Sequence, residues 1–479
     1  MDTNEKYPLK ALGTLTDGLT WWLKYGVWVG SMLGVPLLAQ AQWVLRTDSS
    51  LCEARTFVSV GSTLKADEPV LKLSLNEPGR LPDELDHLRD LRLLEVYAPE
   101  AMPTFRLLPT SLWKLSKLEY LHLGQTALDS LPAALHQLTA LRVLSLPANP
   151  ALKQLPEAVS FLPNLEELDA GTAALPPNLS RAPRLRVLHT RADRLPPLPH
   201  LEELHYSGSQ LPEFVASLPN LRAVHLTAAA HPAHASLKPL LGLPTLTTLS
   251  LDAARIDRYG WEHLGRLVGL QSLTLRRVRY IPDDLHNLNQ LTEVSILQTP
   301  CPTAGSCVPV IGPLAQLPRL RRLTLNHLPD NLDTLQQLES LRLIDCPDLK
   351  AGDFRRLSRQ LARLPRLDEL DLQGSDLRNA RQVAFDALAK LRKLNLAFTG
   401  LPPDDSTWIS LKKLTSLREL TLTGDDLGLA QCPEALGQLR QLRLLTLYAR
   451  EGRNNRPLPP GCIDRLRRAL PTCVIQVYR

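Results

Sequence analysis

Residues Leu118 to Ala170 read LEYLHLGQTALDSLPAALHQLTALRVLSLPANPALKQLPEAVSFLPNLEELDA, one sentence written nearly twice over and begun a third time. Each copy opens with two leucines and a third apolar residue at fixed spacing: Leu118, Leu121 and Leu123, then Leu141, Leu144 and Leu146, then Leu165, Leu168 and Ala170. The last two apolar positions alternate with outward residues, as a short strand with one buried face requires. An L-P pair follows in the first two copies (Leu131-Pro132, Leu155-Pro156), and then leucines at three-residue spacing, which suits a helical or 3₁₀ return segment. Each copy therefore climbs one rung.

Outward from this stretch the core recurs. It begins weakly with Val70, Leu73 and Leu75, and further cores start at Leu91, Leu118, Leu141, Leu165, Leu185, Leu201, Leu221, Leu246, Leu270, Leu291, Leu320, Leu338, Leu367, Leu391, Leu417 and Leu442. That predicts about 17 repeats with a period of roughly 23 residues. The expected fold class is an α/β solenoid: an arc with a parallel concave β-sheet and a helical or 3₁₀ convex side. Prolines crowd the return legs at Pro176, Pro177, Pro196, Pro197 and Pro199, where extended or 3₁₀ connections are expected because Pro cannot sit inside a helix. The repeats from Leu291 and Leu338 are longer, and residues 354–364 of the second predict an amphipathic helix.

The ends differ from the repeat. Residues 1–41 carry an apolar run, Leu19 to Leu45, interrupted by Lys24 and a few small or amide residues. Tyr25 to Ala39 has the length of a signal-peptide core, and Ala39-Gln40-Ala41 is an A-x-A cleavage site, so export with cleavage before Gln42 is the leading expectation. Two alternatives stay open: a membrane anchor extending to Leu45, and a helix packed over the open end of the solenoid. Residues 42–66 are expected as an N-terminal cap, 67–450 as the solenoid and 451–479 as a C-terminal cap with a helix Ile463 to Leu470 and a strand Cys473 to Val477. Capping of this kind protects the apolar edges of a repeat array.

Composition supports a globular chain whose core is leucine: 44% of its 479 residues are hydrophobic and only 5% aromatic. A net charge of +6 over this length is too mild to argue for nucleic acid or a membrane surface.

L-x-x-L-x-L followed by L-P-x-x-L-x-x-L resembles the leucine-rich-repeat superfamily, especially its L-P class in bacterial effectors and in intracellular Ras-associated scaffolds. The resemblance runs from Val70 to Val477. It implies recognition of another macromolecule on the concave face and no chemistry by itself. The family usually carries asparagine three places after the last strand leucine, forming a ladder with backbone groups. Here only Asn149 does; Thr126, Cys346, Ser375 and Thr399 are among the polar substitutes, and looser turns are expected at Ala173, Ala229, Ala254 and Val278.

Strand positions between the buried leucines point into the concave hollow. Asp169, His189, His205 and His225 form the most unusual column. Rungs about 5 Å apart would let imidazoles share an ion. Arg191 on the same face argues against a cation, so no metal and no cofactor is assigned. Glu167, Arg191, Glu203 and Tyr206 are read as outward flanking residues, with Tyr97 and Tyr120 as aromatic anchors for a partner. Among seven cysteines, Cys301 with Cys307 and Cys462 with Cys473 are expected disulfides if the chain is exported. Two Cys-x-Asp motifs, Cys346-Pro-Asp348 and Cys462-Ile-Asp464, invite comparison with effector ubiquitin ligases, but the helical catalytic domain of those proteins is missing. No G-x-S-x-G, H-E-x-x-H or P-loop occurs. The expected function is an exported, non-catalytic protein-binding scaffold, in the periplasm, outside the cell or anchored to a membrane. The rival is a bacterial effector that enters a host cytoplasm and captures a host protein there, with or without ubiquitin-ligase activity.

Overall fold

The computed structural model describes residues 51, 54–63, 66–75, 81, 83–97, 108–126, 128–208, 211–227, 237–252, 263–277, 283–297, 311–344, 346, 351–377, 385, 388–401, 405–423, 434–448 and 461–478. Two compact units divide the chain, Met1–Val224 and His225–Arg479. In the first, short parallel strands follow one another as β1 (Thr56–Phe57), β2 (Lys72–Leu75), β3 (Leu93–Tyr97), β4 (Tyr120–Gly124), β5 (Val143–Ser145), β6 (Glu167–Asp169), β7 (Val187–Thr190) and β8 (Glu203–Tyr206), each of β1–β7 paired with the next. Strand β9 (Ala223–Thr227) crosses the boundary between the units.

The second unit continues with β10 (Thr248–Asp252), β11 (Ser272–Arg276), β12 (Glu293–Leu297), β13 (Arg322–Leu325), β14 (Ser340–Leu343), β15 (Glu369–Asp371), β16 (Lys393–Asn395), β17 (Glu419–Thr423), β18 (Leu444–Tyr448) and β19 (Val474–Tyr478). These also pair in order and in parallel. Strands β2 to β18 coincide one for one with the seventeen core starts read from the sequence, so the chain has the leucine-rich-repeat fold.

The register explains why the repeat is so regular. Each pairing sets like position against like position, for example Leu94 with Leu121 and Leu121 with Leu144. The core-facing residues of paired strands, most of them leucine, therefore stack on their counterparts. One backbone device starts most of the strands. Glu119 and Tyr120 both donate their N–H to the Arg92 carbonyl at 2.8 and 2.9 Å, and Arg142 and Val143 do the same to Glu119 at 2.8 and 3.0 Å. It recurs as far as Arg443 and Leu444 on the Arg418 carbonyl.

The L-P pairs set the return legs. Pro109, Pro132, Pro156 and Pro212 are all extended, with φ fixed by the ring, and each is followed by a five-residue 3₁₀ leg: Thr110–Lys114, Ala133–Gln137, Glu157–Phe161 and Glu213–Ser217. Leucines three apart share one face in 3₁₀ geometry, so Leu135 and Leu138 both enter the core. Longer legs hold α-helices: α1 (Ala351–Leu361), α2 (Asp405–Lys412) and α3 (Cys462–Ala469). The first and third are the helices expected at 354–364 and 463–470, shifted by a few residues. Between β7 and β8, where prolines crowd, no helical leg forms.

Asn149 makes the expected ladder. Its Oδ1 accepts from the Thr126 N–H and hydroxyl, both at 3.0 Å, and its Nδ2 donates to the Leu123 carbonyl at 2.7 Å. Ser375 and Thr399 substitute in part, donating to the Leu343 and Leu396 carbonyls. The Ala229, Ala254 and Val278 turns lie outside the described residues.

The cysteine expectation needs correction at the C-terminal end. Cys462 is in a disulfide, but Cys473 carries a free thiol, so these two are not joined; the partner of Cys462 lies outside the described residues. Cys473 sits just before β19, which pairs with β18 instead of folding back over α3. Cys301, Cys307 and the apolar run Leu19–Leu45 also lie outside the described residues. Among the described residues no helix is long and apolar enough to cross a membrane.

Candidate functional site: the strand face of β6 to β8

Each strand has a core face, toward the return legs, and a strand face opposite it. Pairing places Ser145 beside Asp169, Asp169 beside His189 and His189 beside His205 on the strand face. The predicted column is therefore real over these rungs. His189 and His205 stack with ring centroids 3.8 Å apart and planes 17° from parallel. Each has a carboxylate at its edge: His189 Nε2 lies 3.2 Å from Glu167 Oε1, and His205 Nε2 lies 2.6 Å from Glu203 Oε1. Asp169 accepts from the Gly171 N–H at 2.9 Å and from the Ser145 hydroxyl at 3.4 Å. The same hydroxyl is 3.0 Å from His122 Nδ1. A polar chain thus runs across the strand face from His122 to Asp169 and abuts the stacked imidazoles.

Depth differs along the chain of groups, and it shows in their ionisation. Burial pushes the Glu167 carboxyl up to about 8; the His205 charge opposes this and Glu203 adds to it. Burial also lowers His122 to about 4 and holds Glu95 above the usual carboxylate range against a Ser74 hydrogen bond and Lys72. His205 and Glu203 are half-buried, and Arg191, just past β7, is exposed. The accessible part of the site is therefore Arg191, Glu203 and His205, standing on a buried base of Glu167, Asp169 and His189. His225 falls on β9 in the second unit.

Five expected contact residues are not available to a partner: Glu167, Asp169 and His189 form the buried base, and Tyr206 and Tyr120 are buried as well. Tyr206 is 2% exposed, because it occupies the third core position of its rung in place of leucine. It belongs to the core and not to the outward flank. Its ring takes the space beside Gly208, where any Cβ would sit 2.1 Å from the tyrosine oxygen. Tyr120 is on the strand face as expected, yet it is only 1% exposed, packed with Leu51, Leu93 and Val143. Tyr97 on β3 is half-buried.

One feature escaped the sequence reading. The residue after the first core leucine alternates in charge over seven rungs: Arg92, Glu119, Arg142, Glu166, Arg186, Glu202 and Arg222. Arg92 Nε is 2.7 Å from Glu119, Arg142 bridges Glu119 and Glu166 at 3.9 and 2.9 Å, and Arg186 is 3.8 Å from Glu202. The alternation itself was the available signal. A polar hollow lies at the end of this row, between Arg186, Glu202 and Arg222.

Neither Cys-x-Asp motif presents a nucleophile in this structure: Cys346 is buried beside the Ser375 ladder bond, and the Cys462 sulfur is buried and held in its disulfide.

No protein-family model matches the chain, and no curated protein does. Solved structures similar to it include a leucine-rich-repeat protein of Leptospira interrogans, at 20% identity and a TM-score of 0.42, covering 88% of this chain and all of that one. The functional domain of InlJ from Listeria monocytogenes, which includes a cysteine ladder, is 16% identical with a TM-score of 0.36, covering 70% of this chain and 68% of that one. TLR13 in complex with ssRNA13 is 18% identical with a TM-score of 0.38, covering 82% and 65%.

Proposed function

We propose that this chain, a leucine-rich-repeat solenoid, is a non-catalytic scaffold that binds a protein partner on its strand face, with Arg191, Glu203 and His205 at the centre of contact. The observation that carries the reading is the stacked His189–His205 pair with its two acidic neighbours, Glu167 and Glu203. Side chains fixed by a parallel ladder and by mutual hydrogen bonds lose little freedom on binding, so contacts to them are cheap in entropy. Mixed charge over a short distance also favours a polar protein surface over a nucleic acid backbone, which would call for a basic stripe. The disulfide at Cys462 supports an oxidising compartment, and hence export to the periplasm, the cell surface or beyond.

Site-specific photo-crosslinking in the native host tests this. Benzophenone probes at 191 and 205 should trap one and the same protein, and probes on return legs at 161 and 217 should not. Identical adducts from both faces, or none from 191 and 205, would sink the reading. Intact mass under non-reducing conditions tests the compartment, since a chain with every thiol reduced contradicts it.

A further inference from the structure

In the first unit the residues that follow the first core leucine neutralise one another by alternation, and in the second unit Arg321 and Glu339 pair in the same way. At β16, β17 and β18 the alternation fails. The equivalent residues there are Arg392, Arg418 and Arg443, three like charges on consecutive strands. The backbone holds them in line: the Arg392 carbonyl accepts from the Arg418 and Glu419 N–H groups at 2.8 and 2.9 Å, and the Arg418 carbonyl from those of Arg443 and Leu444 at 2.7 and 3.0 Å. Strands about 4.8 Å apart thus carry one guanidinium per rung along about 10 Å of the edge where the strands begin.

All three arginines are exposed, as are Arg366, Lys390 and Arg440 in the turns that lead into β15, β16 and β18. Acid is scarce beside them. Asp368 is the single carboxylate in this row from β15 to β18, and Glu419, one residue further along its strand, is taken by Lys393 at 3.2 Å. Among the described residues, none forms a hydrogen bond or an ion pair with the side chains of Arg392, Arg418 or Arg443. Like charges one rung apart repel, and a bound anion would relieve that repulsion.

We propose that the strand-start edge of β16–β18 binds an acidic helical segment of a protein partner, with Arg392, Arg418 and Arg443 each taking a carboxylate. Carboxylates three or four residues apart on a helix stand about 5–6 Å from one another, close to the rung spacing, so one helix face meets the three arginines in turn. Each guanidinium offers a carboxylate a two-pronged charge-assisted bond. Single-stranded nucleic acid would call for aromatic side chains on which bases stack. Phe385, Trp408 and Tyr448, from the same stretch of chain, are buried and offer no such platform. The proposal uses none of Arg191, Glu203 and His205 and stands if those residues bind nothing.

The test uses the full chain and an alanine-rich helical peptide of about 20 residues with glutamates at i, i+4 and i+7. Fluorescence anisotropy should show binding of this peptide and about tenfold weaker binding of a copy with glutamine in place of glutamate. Arg392→Gln, Arg418→Gln and Arg443→Gln combined should weaken binding of the glutamate peptide by about tenfold or more. Lys114→Gln, Lys153→Gln and Arg181→Gln combined, an equal loss of charge from exposed side chains of the first unit, should stay within about twofold of the wild type. The Tm of the arginine variant at low salt should equal or exceed that of the wild type, because its removal of charge relieves a repulsion. A lower Tm would show these arginines to be structural and would overturn the proposal. So would no binding by the wild type, equal binding of the two peptides, or equal binding by the arginine variant and the wild type. Tighter binding of a DNA duplex than of the glutamate peptide at the same ionic strength would overturn it too, and make the row a phosphate site.

Discussion

Glu167 and His122 sit two rungs apart on one face and respond to pH in opposite senses. Folded Glu167 holds its proton to about pH 8 against an ordinary value of 4.5, so its contribution to stability is complete below pH 4.5 and is lost as pH rises through 8. Folded His122 stays neutral down to about 4 against an ordinary 6.5, so its contribution is complete above pH 6.5 and is lost as pH falls through 4. Urea titration of Glu167→Gln should show a variant close to wild type at pH 4.5 and more stable by on the order of a few kcal/mol at pH 8. His122→Gln should gain on the wild type only in acid, by on the order of 2–3 kcal/mol near pH 4; equal acid limbs in thermal melts would contradict this. How deep these groups lie was not legible in the sequence. Alternation places Tyr120, His122 and Glu167 on the strand face, as it should, but all three are buried, and Tyr120 packs with Leu51, from a segment with no repeat signature. Tyr206 was legible as core from its place in L-x-x-L-x-L, where the spacing outweighs the polar hydroxyl.

Within a single rung, the ladder residue and the charge row do separate work. Asn149→Ala leaves the Thr126 N–H and the Leu123 carbonyl without their side-chain partner in a buried turn, which should cost about 2–3 kcal/mol in chemical denaturation. Ala173, the next rung's equivalent, already lacks such a side chain, and its turn is closed by a backbone bond to the Ala170 carbonyl at 2.9 Å. Glu119→Gln breaks the centre of the Arg92–Glu119–Arg142 row. Partial exposure limits the loss to about 1 kcal/mol, and the difference from wild type should shrink as salt rises from 0.05 to 0.5 M. The strands were legible because leucine spacing dictates them. The legs were less so: helical and 3₁₀ segments share a three-residue spacing over five residues, and it is the shortness of the leg that selects 3₁₀. The disulfide of Cys462 could not be paired from spacing, since Cys473 is committed to the start of a strand that joins the sheet.

Across the molecule, contacts are made rung to rung, so stability should be local as in other repeat arrays. Leu370→Ala in β15 removes a stacked core leucine, which typically costs 2–5 kcal/mol. Hydrogen exchange should accelerate in β14 and β16 and stay unchanged in β3–β5; a uniform increase along the chain would refute the local picture. The fold was readable at this scale because one spacing is repeated, while the site was readable only as a column of polar residues, its depth and accessibility being set by contacts between distant parts of the chain. The constant register has a further consequence, for how such a chain changes over generations. Since every strand offers its neighbours the same pairing, a duplicated stretch such as residues 141–164 could enter between two rungs and be met correctly on both sides. Length can then drift by whole rungs without the surviving ones having to be rewritten, and a new binding surface can be composed by copying and editing a rung that already folds.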